Sequence, residues 1–146
     1  TGTGIQHIIG DISNTDTGTS VYGIYHTSSG ASSYSGSVTG YAGNALNKNG
    51  TGIVRIKPGS RLVTTGTDTN AVQLAASTGT GLTDPKLILD GVTLIATGTG
   101  TCIGGAATQY VKIYGSCQAN APIDTDIIQR VGSILIDGIP STSNVT

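Results

Sequence analysis

The hydrophobic residues of this chain fall into short segments that end in glycine and recur at a nearly constant interval. Further short β-rich stretches, such as residues 71–74 and 92–95, lie between them. The glycines that close the four clearest segments are 25, 24 and 23 residues apart, and these segments are residues 62–66, 87–91, 111–115 and 134–138. A period in the low twenties is typical of one rung of a β-solenoid, in which the strands of successive rungs stack. We therefore predict an all-β solenoid with parallel strands.

The main alternative fold is a β-sandwich whose strands happen to be similarly spaced. Sandwich strands recur roughly every 8–12 residues and are joined by hairpin turns, whereas Asn49-Gly50 is the one dipeptide here that resembles such a turn. The solenoid therefore accounts better for the pattern. We expect a single solenoid domain over residues 1–146, cut from a longer chain, with an irregular Ser-, Gly- and Tyr-rich region at about 28–50.

Side chains alternate between the two faces of a strand, so each repeated segment divides into inward and outward positions. Stacking the four segments gives an inward column of Leu62, Leu87, Val111 and Ile134. The following positions face outward, and three of the four are apolar, namely Val63, Ile88 and Leu135. An apolar stripe on an outer face indicates an interface or a covering loop of the same chain. We expect the interface, formed in a parallel homotrimer.

Composition supports the all-β fold and narrows the choice of partners. The chain has no Met, Phe or Trp, only 10% charged residues and a net charge of −1, and it is rich in Thr, Val and Ile, which favour strands. The seven Lys and Arg residues are scattered among eight acidic ones, so we expect no nucleic-acid binding. The longest apolar run is far short of the roughly 20 residues that a membrane-spanning helix needs, so we expect no membrane insertion. Since no cofactor or metal motif is present, neither group is predicted.

The Gly-, Ser- and Thr-rich composition and the strands of the form Ile-x-Ile-Asp-Gly resemble the right-handed parallel β-helices of the pectate-lyase-like class. Within that class, the apolar outer column and the start of the chain inside a Gly/Thr pattern are most similar to the trimeric tail-spike and tail-fibre proteins of bacteriophages. The resemblance covers residues 50–140 and rests on pattern alone. It implies a right-handed solenoid with a surface suited to carbohydrate, in a virion protein that binds the host surface as a trimer.

Two acidic pairs are candidates for chemistry. In the stacked alignment Asp90 and Asp137 share an outward column with Tyr114 between them, which places the carboxylates roughly 9–10 Å apart. This separation is at the upper edge of the roughly 6.5–9.5 Å expected for inverting glycosidases. Asp before Gly is also ordinary turn chemistry, which is the simpler interpretation. Asp124 and Asp126 lack the spacing of a calcium loop, so we interpret them as part of a solvated turn.

Tyrosine supplies all the aromatic side chains of the molecule, and four of the six lie within residues 20–43. Tyrosine among Ser, Gly and Asn is typical of adaptable recognition surfaces, because it offers a large amphipathic contact area at low entropy cost. Sugar rings stack on such side chains. The alternative is that these tyrosines cap the solenoid or pack between chains. The candidate ligand-binding residues are Tyr22, Tyr25, Tyr34, Tyr41 and Tyr114.

The remaining titratable residues point to structural roles. Cys102 and Cys117 are separated by less than one rung, and Cys102 lies between β-branched neighbours. Free cysteine in such a setting behaves as a small buried hydrophobe, so we predict two reduced, buried thiols and no disulfide. His7 and His26 have no nucleophile or acid in recognisable spacing, so neither is predicted to be a catalytic base.

These features favour a structural and adhesive function. We expect a viral tail-fibre or tail-spike domain, extracellular in the virion, that attaches to a glycan or protein receptor on a bacterial surface. One alternative is a polysaccharide depolymerase of a phage tail spike, a hydrolase or lyase acting through Asp90 and Asp137. Another is a bacterial cell-surface adhesin with the same solenoid.

Overall fold

The computed structural model describes residues 5–18, 21–74, 87–105, 110–121, 123–124, 127–130, 133–136 and 144–145. Within these ranges the chain forms strands, turns and bends, and from β1 to β17 every third strand belongs to the same parallel sheet. Sheet A contains β1 (Gln6–Ile9), β4 (Ser32–Ser35), β7 (Val54–Ile56), β10 (Leu87–Asp90), β13 (Tyr110–Tyr114), β16 (Ile127–Arg130) and β18 (Asn144–Val145). The predicted parallel β-solenoid is confirmed.

The other two sheets complete each rung. Sheet B contains β2 (Ile12–Asn14), β5 (Ser37–Gly40), β8 (Arg61–Thr64), β11 (Thr93–Ala96), β14 (Ser116–Ala119) and β17 (Ser133–Ile136). Sheet C contains β3 (Ile24–His26), β6 (Leu46–Lys48), β9 (Val72–Leu74), β12 (Ile103–Gly105) and β15 (Ile123–Asp124). A rung is therefore one strand of each sheet in the order A, B, C, and residues 28–50 supply the second rung through β4, β5 and β6.

The core lies inside the triangle formed by the three sheets. Strand alternation sends every second side chain inward, and like positions of successive rungs then stack. The predicted inward residues Leu62, Leu87 and Val111 are fully buried, as is Thr64. The aliphatic core consists mainly of Val38, Leu62 and Leu94 from sheet B, Val54, Ile56, Leu87, Leu89, Val111 and Ile113 from sheet A, and Leu46, Val72, Leu74 and Ile103 from sheet C.

The register corrects the alignment of the four repeated segments. Strands β8 and β17 belong to sheet B, whereas β10 and β13 belong to sheet A. Leu62 therefore stacks on Leu94, and Leu87 stacks on Val54 and Val111. Segments of similar sequence therefore lie in strands of two different sheets.

The predicted interface residues consequently lie in three different columns. Val63 pairs with Thr39 and Ile95 on the outer face of sheet B, whereas Ile88 pairs with Arg55 and Lys112 on sheet A. Leu135 lies in β17 opposite Gln118, and its side chain is outside the part that the structure describes. A single apolar stripe through all three positions does not form.

Candidate functional site

Sheet C presents one outward column that combines an aromatic ring with amides. Tyr25 of β3 pairs with Asn47 of β6, and Asn47 pairs with Gln73 of β9. Their strand neighbours Leu46 and Leu74 are buried in the core, so the three central residues face outward. We call Tyr25, Asn47 and Gln73 the Tyr–amide strip.

A stacked pair of tyrosines forms one end of the strip. The rings of Tyr22 and Tyr25 have centroids 5.1 Å apart and an interplanar angle of 22°. Tyr25 is 53% exposed, and its hydroxyl accepts a hydrogen bond of 2.8 Å from Nδ2 of Asn49 on the next rung. The stack and the hydrogen bond hold the Tyr25 ring in place, so it offers a preorganised aromatic surface to solvent.

The middle of the strip contains an amide oxygen that lacks a hydrogen-bond partner. Asn47 is only 6% exposed, and its Oδ1 accepts no hydrogen bond within the part of the chain that the structure describes. A buried carbonyl oxygen without a donor is unfavourable and is rare in folded proteins. Oδ1 is enclosed by its surroundings, so a hydroxyl group bound at the strip reaches it only if a neighbouring side chain moves aside.

The far end of the strip is fixed by neighbouring amides. Nδ2 of Asn70 donates a hydrogen bond to Oε1 of Gln73, which orients the Gln73 side chain. Gly104 follows Gln73 in the same column, and a Cβ there would collide with the Asn70 amide and come within 3.0 Å of Gln73 Oε1. The absence of a side chain at Gly104 therefore leaves room for this amide pair.

A cavity of about 190 Å³ adjoins the strip at the first rung. Tyr25 belongs to both, and the other lining residues are Gln6, Ile8, Ile24, His26, Thr27, Ser28 and Tyr34. His26 is 3% exposed, and its Nε2 shares a hydrogen bond of 3.0 Å with Oγ of Ser32, while its Nδ1 has no partner among the described residues. Burial, and secondly the charge of Lys48, lower the pKa of His26, so the imidazole is neutral near pH 7.

The other predicted ligand-binding tyrosines lie apart from the strip. Tyr34 faces the core and is 4% exposed, and burial raises the pKa of its hydroxyl. Tyr41 is exposed at the corner after β5, where its carbonyl accepts a hydrogen bond from the Thr65 hydroxyl. Tyr114 lies on the outer face of sheet A beside Arg55. Of the five candidates, the structure stacks Tyr22 on Tyr25 and places Tyr34 with Tyr25 in the lining of the cavity.

The candidate catalytic column is only partly present. Asp90 pairs with Tyr114 across sheet A, as the alignment predicted. The alignment is wrong for the third member, because the strand before Asp137 is β17 of sheet B, and Asp137 itself lies outside the described residues. The hypothesis that Asp90 and Asp137 form a hydrolytic pair therefore stays a prediction without its original geometric basis. The side chains of Asp124 and Asp126 also lie outside the described residues.

No three His, Cys or Asp side chains in the described ranges come together as a candidate metal site. No helix long and apolar enough to cross a membrane occurs in that part of the chain. Comparison with known proteins gives no relative, since no protein family, curated protein or solved structure matches the chain.

The Tyr–amide strip is uncharged, and this determines what it can bind. Amide groups donate to and accept from hydroxyl groups, while a tyrosine face packs against apolar C–H surfaces. Sequence reasoning identified Tyr22 and Tyr25 but missed Asn47 and Gln73. One feature of the sequence could have identified them: the short strands on successive rungs each have a polar residue at their centre.

Proposed function

We propose that this solenoid binds a glycan on a bacterial surface through the Tyr–amide strip, as a structural and adhesive domain of a viral tail fibre or tail spike. The observation that carries the proposal is the stacked, half-exposed Tyr25 in register with the amide side chains of Asn47 and Gln73. A sugar provides both complements, because its ring has an apolar C–H face and its edge carries hydroxyl groups.

The repeat of the solenoid supports a polymeric ligand. Neighbouring rungs are ~4.8 Å apart, and an extended polysaccharide advances by a similar distance per sugar residue. Tyr25, Asn47 and Gln73 therefore follow the solenoid axis with one binding group for each sugar of a short segment. This spacing favours a glycan chain lying along the axis.

The experiment is binding of the purified protein to an array of bacterial lipopolysaccharides and capsular polysaccharides. We expect retention on at least one glycan and at least a tenfold weaker affinity for Tyr25→Ala, which corresponds to about 1.4 kcal/mol. Tyr41→Ala is the matched control, because Tyr41 is 54% exposed, compared with 53% for Tyr25, and lies away from the strip. The proposal is overturned if no glycan is bound or if both variants weaken binding equally.

The proposal also includes the handedness of the solenoid and its oligomeric state. We propose a right-handed solenoid, since parallel strands joined by crossovers are almost always connected in that hand. We also propose a parallel homotrimer in which each chain contacts its neighbours through the outer face of sheet B. The outward column Thr39, Val63 and Ile95 supports this assignment, because two of its three residues are apolar and Ile95 is partly exposed.

A further inference from the structure

The outer face of sheet A gathers basic side chains that are far apart in sequence. Arg55, Ile88 and Lys112 occupy one outward column on three successive rungs. Lys57 follows Ile56, which is buried, and therefore faces the same side. Three of the seven Lys and Arg residues of the chain thus lie on one face, although their sequence positions predict no basic patch.

Two of these cations converge on a single aromatic ring. Cζ of Arg55 is 5.8 Å and Nζ of Lys112 is 5.2 Å from the centroid of the Tyr114 ring. Neither cation forms an ion pair within the described ranges of the chain. Asp90, which pairs with Tyr114, adds one carboxylate to the same face. The cations Arg55, Lys57 and Lys112 outnumber it, so the face is net positive and an anion that binds next to Tyr114 interacts favourably with it.

We propose that the basic face, formed by Arg55, Lys57, Lys112 and Tyr114, binds the carboxylate or sulfate groups of an acidic polysaccharide. The partner is a polymer lying across the rungs, because the cations are distributed over the third and fifth rungs. This surface is on a different sheet from the Tyr–amide strip, so the proposal does not rest on the function proposed above.

The shape of the face argues against other anionic macromolecules. A nucleic acid is held by stacking its bases on aromatic rings or by a helix or ribbon that enters a groove. Here the Tyr114 ring is already contacted by two cations, and the face is a flat sheet. An acidic peptide that adds a strand needs a free sheet edge, whereas β7, β10 and β13 are each paired on both sides.

The test is retention of the full chain on immobilised dextran sulfate, with elution by a salt gradient. We expect the unaltered protein to be retained on dextran sulfate and not on uncharged dextran. Arg55→Gln and Lys112→Gln should each elute at lower salt and weaken affinity about tenfold at fixed salt. Arg61→Gln is the matched control, because it removes the same charge from the exposed start of β8 on sheet B and should elute with the unaltered protein.

Four further results decide the assignment. Arg55→Lys should retain most of the binding, which separates loss of charge from misfolding, and Tyr25→Ala should elute unchanged. An effect of Arg61→Gln as large as that of Arg55→Gln would overturn the proposal in favour of general charge attraction. Equal competition by a single-stranded oligonucleotide of the same charge would overturn the assignment to polysaccharide.

Discussion

Two basic side chains lie inside the first two rungs of the solenoid, in a column that carries an aliphatic residue on the third rung. His26, Lys48 and Leu74 occupy one inward column of sheet C. Lys48 is fully buried, and its Nζ donates a hydrogen bond of 2.6 Å to the carbonyl of Gly50. A proton on His26 would add a second charge next to Lys48 in this enclosed space. The interior of the first two rungs is therefore sensitive to pH.

We predict that stability falls as the pH falls below about 6.5. Burial lowers the pKa of His26 in the folded chain below the value of 6.5 that applies when it is unfolded. Just below pH 6.5 the unfolded state therefore binds more protons than the folded state. The stabilisation that comes from His26 is complete above pH 6.5 and is lost as the pH falls through the pKa of the folded chain. Urea unfolding at pH 7.5 and 5.0 measures the loss, and His26→Gln should reduce it. An equal loss in the variant would assign the effect to another group.

Both cysteines are buried and unbridged, as predicted. Burial raises the pKa of each thiol, which reduces the thiolate that reacts with disulfide reagents. We predict two free thiols per chain by titration of the unfolded protein without reductant, and slow reaction of both in the native state. Rapid native reaction of either thiol would contradict the buried positions of Cys102 and Cys117.

At the level of elements, an asparagine ladder closes the corner between sheets B and C. Oδ1 of Asn44 accepts a hydrogen bond of 2.7 Å from the backbone N–H of Asn70. Oδ1 of Asn70 then accepts from the backbone N–H of Thr101 at 2.8 Å and from its hydroxyl at 2.9 Å. Each side chain satisfies a turn on the next rung, which joins three rungs at one corner.

Asn70→Ala should therefore destabilise the fold by about 1–3 kcal/mol, because it leaves the Thr101 N–H without an acceptor. Asn70→Asp is the control, since it keeps the oxygen that accepts from Thr101 and replaces the donor to Gln73 with a charged oxygen, to which the Gln73 amide can donate after it turns over. Thermal or urea unfolding of both variants measures the difference. Equal losses would show that the ladder contributes nothing beyond the Gln73 contact.

The strands were predictable from the sequence, but their assignment to sheets was not. Alternation within each segment correctly identified Leu87 and Val111 as core residues, because burial in a strand has a period of two. Glycine closes segments of two sheets for different reasons. Gly91 and Gly115 have φ of 55° and 61°, whereas a Cβ at Gly66 would lie 3.0 Å from the Thr69 side chain and the Tyr41 carbonyl. Glycine meets both requirements, so the alignment of the four repeated segments treated two different kinds of turn as one.

The candidate site was harder to predict because it depends on register across rungs. Tyr25 stood out as an aromatic residue in a Ser/Gly-rich region. Asn47 and Gln73 each lie at the centre of a three-residue strand, where a polar residue gives no signal by itself. Asn47 and Gln73 come into register because the turns between strands differ in length, and the sequence does not reveal those lengths.

At the scale of the whole molecule, each described rung pairs only with the rungs before and after it, so the outer faces of its sheets are left for association. We predict a homotrimer that Ile95→Asp dissociates and that Ile88→Asp leaves intact, measured by sedimentation, because Ile95 is the partly exposed partner of Val63 on sheet B. Ile95→Val, which stays apolar, should keep the trimer. Dissociation by Ile88→Asp would mean that the basic face is buried between chains, and an unchanged oligomer for Ile95→Asp would mean that the outer face of sheet B is not the interface.

The direction of the hydrogen bonds between rungs determines how the domain responds to force. These bonds run along the solenoid axis, so tension applied along it separates one rung at a time. The length released is unequal, because the segment from Gln6 to its partner Ser32 is shorter than the segment from Val54 to its partner Leu87. At ~3.3–3.6 Å per residue, each rung extends by on the order of 100 Å. The molecule therefore yields to a pull in a series of long, uneven steps and dissipates mechanical work at each one.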